Sequence, residues 1–289
     1  MHQKSSSAIA KQVSQFTGTD FLVQDCRSVG GGSINQAYIL LGDRLSYFVK
    51  FNQPARLSMF EAEALALRQI AQTATIRVPQ PICLGITDQH SYLVLEHLNL
   101  VGSGDWQSMG RHLAALHQKA NADLFGWQQD NTIGSTPQSN PWSASWPEFF
   151  TQQRLGYQLK LAQRRGGSFS KSSALLECVA QQLQHQPTPA LVHGDLWSGN
   201  AAFTAVGQPV IFDPAAYYGD REVDLAMTEL FGGFPASFYQ GYQQVLPISA
   251  DYQQRKVIYN LYHILNHFNL FGGGYASQAH RMIEQILRA

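Results

Sequence analysis

Asp195 and Asn200 stand five positions apart in LVHGDLWSGN, residues 191–200, and Asp213 closes the run VIFD at 210–213. Three oxygen-bearing side chains in this order suit phosphoryl transfer. The transferred group passes through a loose, charge-rich transition state, so the protein mainly positions reactants and neutralises charge. One carboxylate must orient the attacking hydroxyl and accept its proton, while Asn and Asp oxygens hold Mg²⁺, a hard cation that prefers oxygen ligands. An Asp-x-x-x-x-Asn spacing after a strand lets Asp195 face the acceptor while Asn200 turns back toward the metal. Each residue alone has an ordinary use: Asp after His-Gly forms turns, Asn after Ser-Gly is a turn residue, and Asp-Pro punctuates a strand end. Their surroundings join them. Leu191-Val192 and AAF at 201–203 read as short buried strands, and the turn at 207–209 leads into residues 210–212, so a hairpin returns Asp213 to the loop.

The elements that must serve such a site lie upstream. VGGGSIN at 29–35 precedes an apolar run at 37–41, a Gly42-Asp43 turn and a second run at 45–51, which predicts a glycine-rich loop within an antiparallel strand pair. Gly30, Gly31, Gly32 and Ser33 would let the backbone approach phosphate oxygens with free N–H groups, although a glycine triplet also makes a plain flexible turn. Lys50 sits among Phe48, Val49 and Phe51, where an ammonium is costly to desolvate, so an anion should meet it. The helix expected over 57–71 offers two. Glu63 shares the stripe of Phe60, Leu67 and Ile70 that should face the sheet, whereas Glu61 falls with Leu65, Arg68 and Gln72. Glu63 is therefore the expected partner that holds Lys50 against the phosphates of ATP. The run at 92–98 reads as a buried strand with a polar end. Backbone at Glu96, His97 and Leu98 is placed as a hinge for an adenine edge, a pattern that an ordinary sheet strand shares.

Glycine-rich loop, Lys50, Glu63, hinge strand, Asp195 with Asn200, and Asp213 follow the order of the protein-kinase-like fold, and their wording resembles the fructosamine kinase family, the ketosamine 3-kinases. The resemblance is carried by GGGSINQAY at 30–38, FVKFN at 48–52, MFEAEALAL at 59–67, LVLEHL at 93–98, LVHGDLWSGN at 191–200 and IFDPAAYYGDREVDLAMTELFGGF at 211–234. FGW at 125–127, NTIG at 131–134 and WPEFF at 146–150 add to it, so the likeness covers most of the chain. His-Gly-Asp-Leu with a later Asn is shared with aminoglycoside phosphotransferases and, more loosely, with choline-type kinases; the Trp197-Ser198-Gly199 stretch and YYGDRE at 217–222 are narrower. Ser33 departs from the pattern, since many relatives carry Cys there, and thiol regulation at that loop does not transfer.

The resemblance implies an α+β, two-lobed fold: residues 1–98 as a nucleotide-binding lobe with an antiparallel sheet and one helix, and residues 99–289 as a mostly helical lobe with the catalytic loop, metal and acceptor site. It also implies phosphorylation of the 3-hydroxyl of a ketosamine by ATP with Mg²⁺. A ketosamine is the adduct left when a sugar glycates an amine; the phosphorylated adduct breaks down and frees the amine, a repair activity. By position Asp195 would be the base, Asn200 and Asp213 the metal ligands, and Lys50 the phosphate clamp.

Other positions read from pattern alone. Residues 106–119 carry Trp106, Met109, Leu113 and Leu116 at helical spacing, with His117 as a packed, hydrogen-bonded residue. Asp220 should cap a helix beginning near Arg221, and Asp224 either hydrogen-bonds the catalytic loop's backbone or is a solvated first-turn acid. By elimination the aromatic and histidine-rich segment 257–270, with His263 and His267, should form the acceptor pocket together with Trp197 and Tyr217, residue types that core packing uses as well.

Lys plus Arg and Asp plus Glu balance at 20 each, with charged residues at 14% and no basic stripe, which argues against nucleic acid. Residues 1–20 are polar and nothing approaches a membrane span, which suits a cytoplasmic protein; a monomer is the expected state. Cys26, Cys83 and Cys178 are widely spaced, as reduced thiols are. Two alternatives stand beside the kinase of ketosamines. A phosphotransferase for aminoglycosides or another hydroxyl compound should carry an acidic pocket, and Asp251 and Glu284 form no dense cluster. A catalytically silent nucleotide-binding regulator should have lost one of Lys50, Asp195, Asn200 or Asp213, and all four are present.

Overall fold

In the computed structural model, which describes residues 3–30, 34–169 and 171–288, short apolar runs separated by turns build one antiparallel sheet near the start of the chain. Its strands are β1 (Asp25–Val29), β2 (Gln36–Leu41), β3 (Ser46–Asn52), β4 (Pro81–Ile86) and β5 (Ser91–Glu96), ordered β1-β2-β3-β5-β4. On central β3, Tyr47, Val49 and Phe51 share one face and join Ile9 and Val13 of helix α1 (Gln3–Thr17), with Leu40, Tyr92 and Val94, in a single buried cluster. Side chains alternate along a strand, so Lys50 projects from the other face, paired in register with Ala37 and Leu93. There it meets helix α2 (Leu57–Gln72), whose buried residues include Phe60, Glu63, Leu67 and Ile70, the expected stripe; Glu61 and Arg68 are exposed. Helix α1 was not apparent in the polar N-terminal residues. Its docking stripe rests chiefly on Ile9 and Val13, one turn apart, each worth roughly 1.5–3 kcal/mol when fully buried.

The chain forms two compact units, Met1–Gly104 with Ala202–Phe212, and Asp105–Ala201 with Asp213–Ala289. The first unit extends past Leu98 because Leu100–Val101 pairs with the strand Ala201–Thr204, Val101 opposite Phe203. That strand turns at Gly207, where φ is +85°, into Pro209–Ile211, the hairpin expected before Asp213. Ile211 N donates to Arg77 O at 3.0 Å.

The second unit is mainly helical. Helix α3 (Trp106–Lys119) starts on Asp105, whose carboxylate accepts from Ser108 N at 2.9 Å. The helix Trp146–Phe149 continues through a π-helical turn, Phe150–Gly156, into Tyr157–Arg164. The longest helix, Tyr252–Phe271, buries Tyr259, whose ring packs with Trp146 and Phe150. Two strands of the second unit flank the 193–200 loop: Ala190–Val192 pairs antiparallel with Tyr217–Gly219, Val192 opposite Tyr217. A small hairpin, Asn131–Ile133 with Thr136–Gln138, completes the framework. The three cysteines are free, and among the described residues no helix is long and apolar enough to cross a membrane.

Candidate active site

The buried strand Ala190–Val192 ends at His193, and the chain then turns sharply. Gly194 has φ +80°, and a Cβ there would lie 2.3 Å from Ala215 O, so this turn requires glycine. Asp224, in the first turn of the helix Glu222–Thr228, fixes the same turn: it accepts from His193 N at 2.7 Å and from Gly194 N at 2.8 Å. Nε2 of His117 meets its Oδ2 at 3.0 Å, and Nδ1 of His117 meets the Tyr242 hydroxyl at 2.8 Å. Asp224 thus anchors the loop's backbone and His117 is packed and hydrogen-bonded, as their positions suggested. Burial pushes the Asp224 carboxyl up, but His117's hydrogen bond and charge, then His193, outweigh it and hold the carboxyl below its ordinary value. Asp220, expected as the cap, stands one position ahead of the N-cap Arg221 and accepts from Glu222 N at 3.0 Å and from the Tyr259 hydroxyl at 2.5 Å.

Asp195 follows this turn, and Asn200 closes the one-turn helix Ser198–Asn200. Asn200 Nδ2 donates to Asp195 O at 2.9 Å and reaches Oδ2 at 3.4 Å, which leaves an amide oxygen as its other polar atom. Asp213 sits at φ +59°, in the left-handed region that Asp tolerates better than most residues and that concentrates at functional sites. The chain after it is pinned: Ala215 N donates to His193 O at 2.9 Å, Asn131 Nδ2 to Ala216 O at 2.8 Å, and Gln138 Nε2 to Ala215 O at 3.1 Å.

Although 24% of the Asp195 side chain is exposed, burial of the rest, then the charges of Asp213 and Asp224, push its carboxyl up to about 7; the bond from Asn200 acts the other way. The Asp213 carboxylate, near enough for its charge to act on Asp195, and the amide oxygen of Asn200 make a donor set that fits a hard divalent cation.

In the first unit, Nζ of Lys50 donates to Glu63 at 2.6 Å with both side chains buried, the pairing expected from helical spacing. Such a carboxylate-held ammonium fits a phosphate oxygen. At the end of β5, the Glu96 side chain pairs with Arg77, Glu96 N donates to Gln80 O at 2.8 Å, and Ser46 Oγ meets His97 Nδ1 at 2.7 Å. Burial holds the His97 imidazole below its ordinary value. Leu98 is half-buried and Gly30 exposed, whereas Gly31, Gly32 and Ser33 lie outside the described residues.

Around Asp195, Trp197 is 38% exposed and its ring meets Phe231 edge-on, with centroids 6.4 Å apart. Phe231 lies 4.6 Å from the His267 ring, and His267 Nδ1 bonds His263 O at 2.8 Å. His263 is buried with Nδ1 4.0 Å from Asp195 Oδ1; burial, then His267, push its imidazole down to about 3. Tyr217 is enclosed. Its ring lies under the Arg154 guanidinium at 4.1 Å, and Arg154 donates to Ser139 O at 2.8 Å and Asn140 Oδ1 at 2.6 Å. Arg154, Asn131 and Gln138 were not foreseen as supports of the loop. The π-helical turn that carries Arg154 has no clear sequence signal, and strands of three residues show no periodicity.

The five-stranded sheet with its buried Lys-Glu pair and the mainly helical second unit are those of a phosphotransferase of the protein-kinase-like fold. The chain belongs to the fructosamine kinase family, whose model matches residues 5–289. It is 61% identical to a protein of Synechocystis sp. named a probable ketoamine kinase, over 97% of this chain and 96% of that one. It is 46% identical to the chloroplastic protein-ribulosamine 3-kinase of Arabidopsis thaliana, over 90% and 82% of the two chains. A crystal structure of a candidate fructosamine-3-kinase from Haemophilus somnus superposes with a TM-score of 0.91 at 33% identity, covering 96% of each chain.

Proposed function

We propose that the protein transfers the γ-phosphoryl group of ATP to the 3-hydroxyl of ketosamines of the fructosamine and ribulosamine type, and so begins removal of the sugar from a glycated amine. The observation that carries this reading is the placement of Asp195 in a loop whose backbone Asp224 fixes through His193 N and Gly194 N and which Asn200 closes onto Asp195 O. Its family membership and the ketoamine and ribulosamine named in its relatives supply the acceptor.

Asp195 orients the acceptor hydroxyl and takes its proton as the oxygen–phosphorus bond forms and the bond to the β–γ bridging oxygen breaks. Asn200 and Asp213 would hold Mg²⁺, which would supply positive charge against the negative charge that develops on the transferred phosphoryl group. Lys50, steadied by Glu63, clamps phosphate oxygens; the glycine-rich loop donates backbone N–H groups and the 96–98 backbone meets the adenine. Trp197, His263 and His267 line the acceptor side, with Tyr217 supporting it from within. Aromatic and neutral imidazole groups beside Asp195 suit a sugar chain better than an aminoglycoside polycation, which calls for carboxylates. A cytoplasmic monomer belongs to the same reading.

Incubation with Mg-ATP and ribulosyl-lysine, fructosyl-lysine or kanamycin in parallel tests it. Phosphate is expected on the ketosamines. Phosphate on kanamycin alone would overturn the assignment.

A further inference from the structure

Among the described residues, four buried side-chain polar atoms have no hydrogen-bond partner, and one of them, Nδ1 of His263, lies at the catalytic loop. It stands 4.0 Å from Oδ1 of Asp195. That is too far for a direct hydrogen bond, which needs roughly 2.7–3.2 Å. It is the span that one interposed oxygen bridges: an oxygen about 2.8 Å from each atom sees the two at an angle of roughly 90°.

The imidazole is held firmly in this place. His263 lies within the 20-residue helix Tyr252–Phe271, its side chain is 4% exposed, and its ring stands edge-on to Tyr262 with centroids 5.1 Å apart. Leaving a buried ring nitrogen without a partner costs roughly 1–3 kcal/mol, a cost that a bound hydroxyl would remove. Burial keeps the ring neutral. A neutral imidazole donates one N–H without setting a positive charge beside the base, and it is too weak a base to compete for the proton.

We propose that His263 is a second catalytic contact to the acceptor: its Nδ1–H hydrogen-bonds the same substrate oxygen whose proton Asp195 removes, so that the pair selects one hydroxyl of a polyhydroxylated chain. The proposal rests on the reading that the protein phosphorylates ketosamines. The acceptor O–H bond breaks with its proton passing to Asp195, the oxygen–phosphorus bond forms as the β–γ bridge breaks, and His263 keeps its own proton throughout. With one lone pair tied to Nδ1–H and the O–H directed at Asp195, the other lone pair is left for phosphorus. A neighbouring hydroxyl of the same sugar chain cannot meet both contacts at once.

The test compares three variants on Mg-ATP with ribulosyl-lysine. His263→Asn places an amide N–H close to the position of Nδ1, His263→Gln places it one bond farther out, and His263→Leu removes it. His263→Gln and His263→Leu should lower kcat about 10²–10³-fold, the usual range for loss of one positioned donor, with the KM for ATP unchanged within about threefold. His263→Asn should recover most of the rate. Both impaired variants should also hydrolyse more ATP per phosphate transferred and spread phosphate over more than one hydroxyl, read by NMR of the products.

Equal losses in Asn and Gln variants, with coupling and product unchanged, would assign His263 a structural role and overturn the proposal. Full activity in His263→Leu would overturn it as well while leaving the substrate assignment standing. Wild-type protein inactive on ribulosyl-lysine and fructosyl-lysine would sink the substrate reading itself, and this proposal with it.

Discussion

His117 and Asp224, 107 positions apart in the sequence, meet at 3.0 Å with neither side chain exposed. Because the same carboxylate also receives the amides of His193 and Gly194, one buried acid links α3 to the turn before Asp195. Asp224→Ala should cost about 3–5 kcal/mol, as removal of one partner from a buried pair does, and lower Tm by roughly 6 °C or more for a chain of this size. The pH dependence has a definite sign. The folded-state value lies below the ordinary 3.8, so the unfolded chain binds the proton first as pH falls, and the stabilisation present above about pH 4 is lost through the folded value. Denaturation midpoints of wild type and variant should therefore differ most near pH 7 and draw together below pH 4.

Lys50 and Glu63 should behave as one unit. Lys50→Met is expected to lower kcat/KM for ATP about 10²–10³-fold, and Glu63→Gln less, since the ammonium remains but loses its fixed position. The double variant should fall short of the product of the two losses, with a coupling of roughly 0.5–3 kcal/mol. Steady-state kinetics on all four proteins measures this, and strict additivity would separate the two roles.

Much of this framework was legible because the signals are local. Two apolar runs about the Gly42-Asp43 turn showed the strand pair at 37–51, and helical spacing alone separated Glu63 from Glu61. The Asp-x-x-x-x-Asn spacing marked out the 195–200 loop, and of the two uses open to Asp224, backbone anchor or solvated first-turn acid, the structure has the anchor. What stayed hidden depends on distant partners. Tyr217 looks like any aromatic in sequence, yet it lies under Arg154, a cation 63 positions away whose hydrogen bonds run to Ser139 O and the Asn140 side chain. Asn131 and Gln138 brace the 215–216 backbone from a hairpin too short to show a period. Helix α1 gives little signal because its buried stripe is so thin within a polar segment.

Asp213→Asn and Asn200→Ala should each raise the Mg²⁺ concentration needed for half-maximal rate, by tenfold or more, which corresponds to about 1.4 kcal/mol in metal binding. The strained backbone at Asp213 makes Asn the conservative choice there, since Asn also tolerates a positive φ. Titrating Mg²⁺ at fixed ATP distinguishes this from a loss of nucleotide affinity, for which the Mg²⁺ midpoint would stay constant.

Turnover of wild type and Asp195→Ala on ribulosyl-lysine, with the nucleotide Kd measured in parallel, tests the assignment of Asp195 most directly. Asp195→Ala should bind ATP nearly as wild type does while turnover falls by about 10²–10⁴-fold, because the carboxylate acts on the acceptor. Near-normal turnover in that variant would contradict its role as the base.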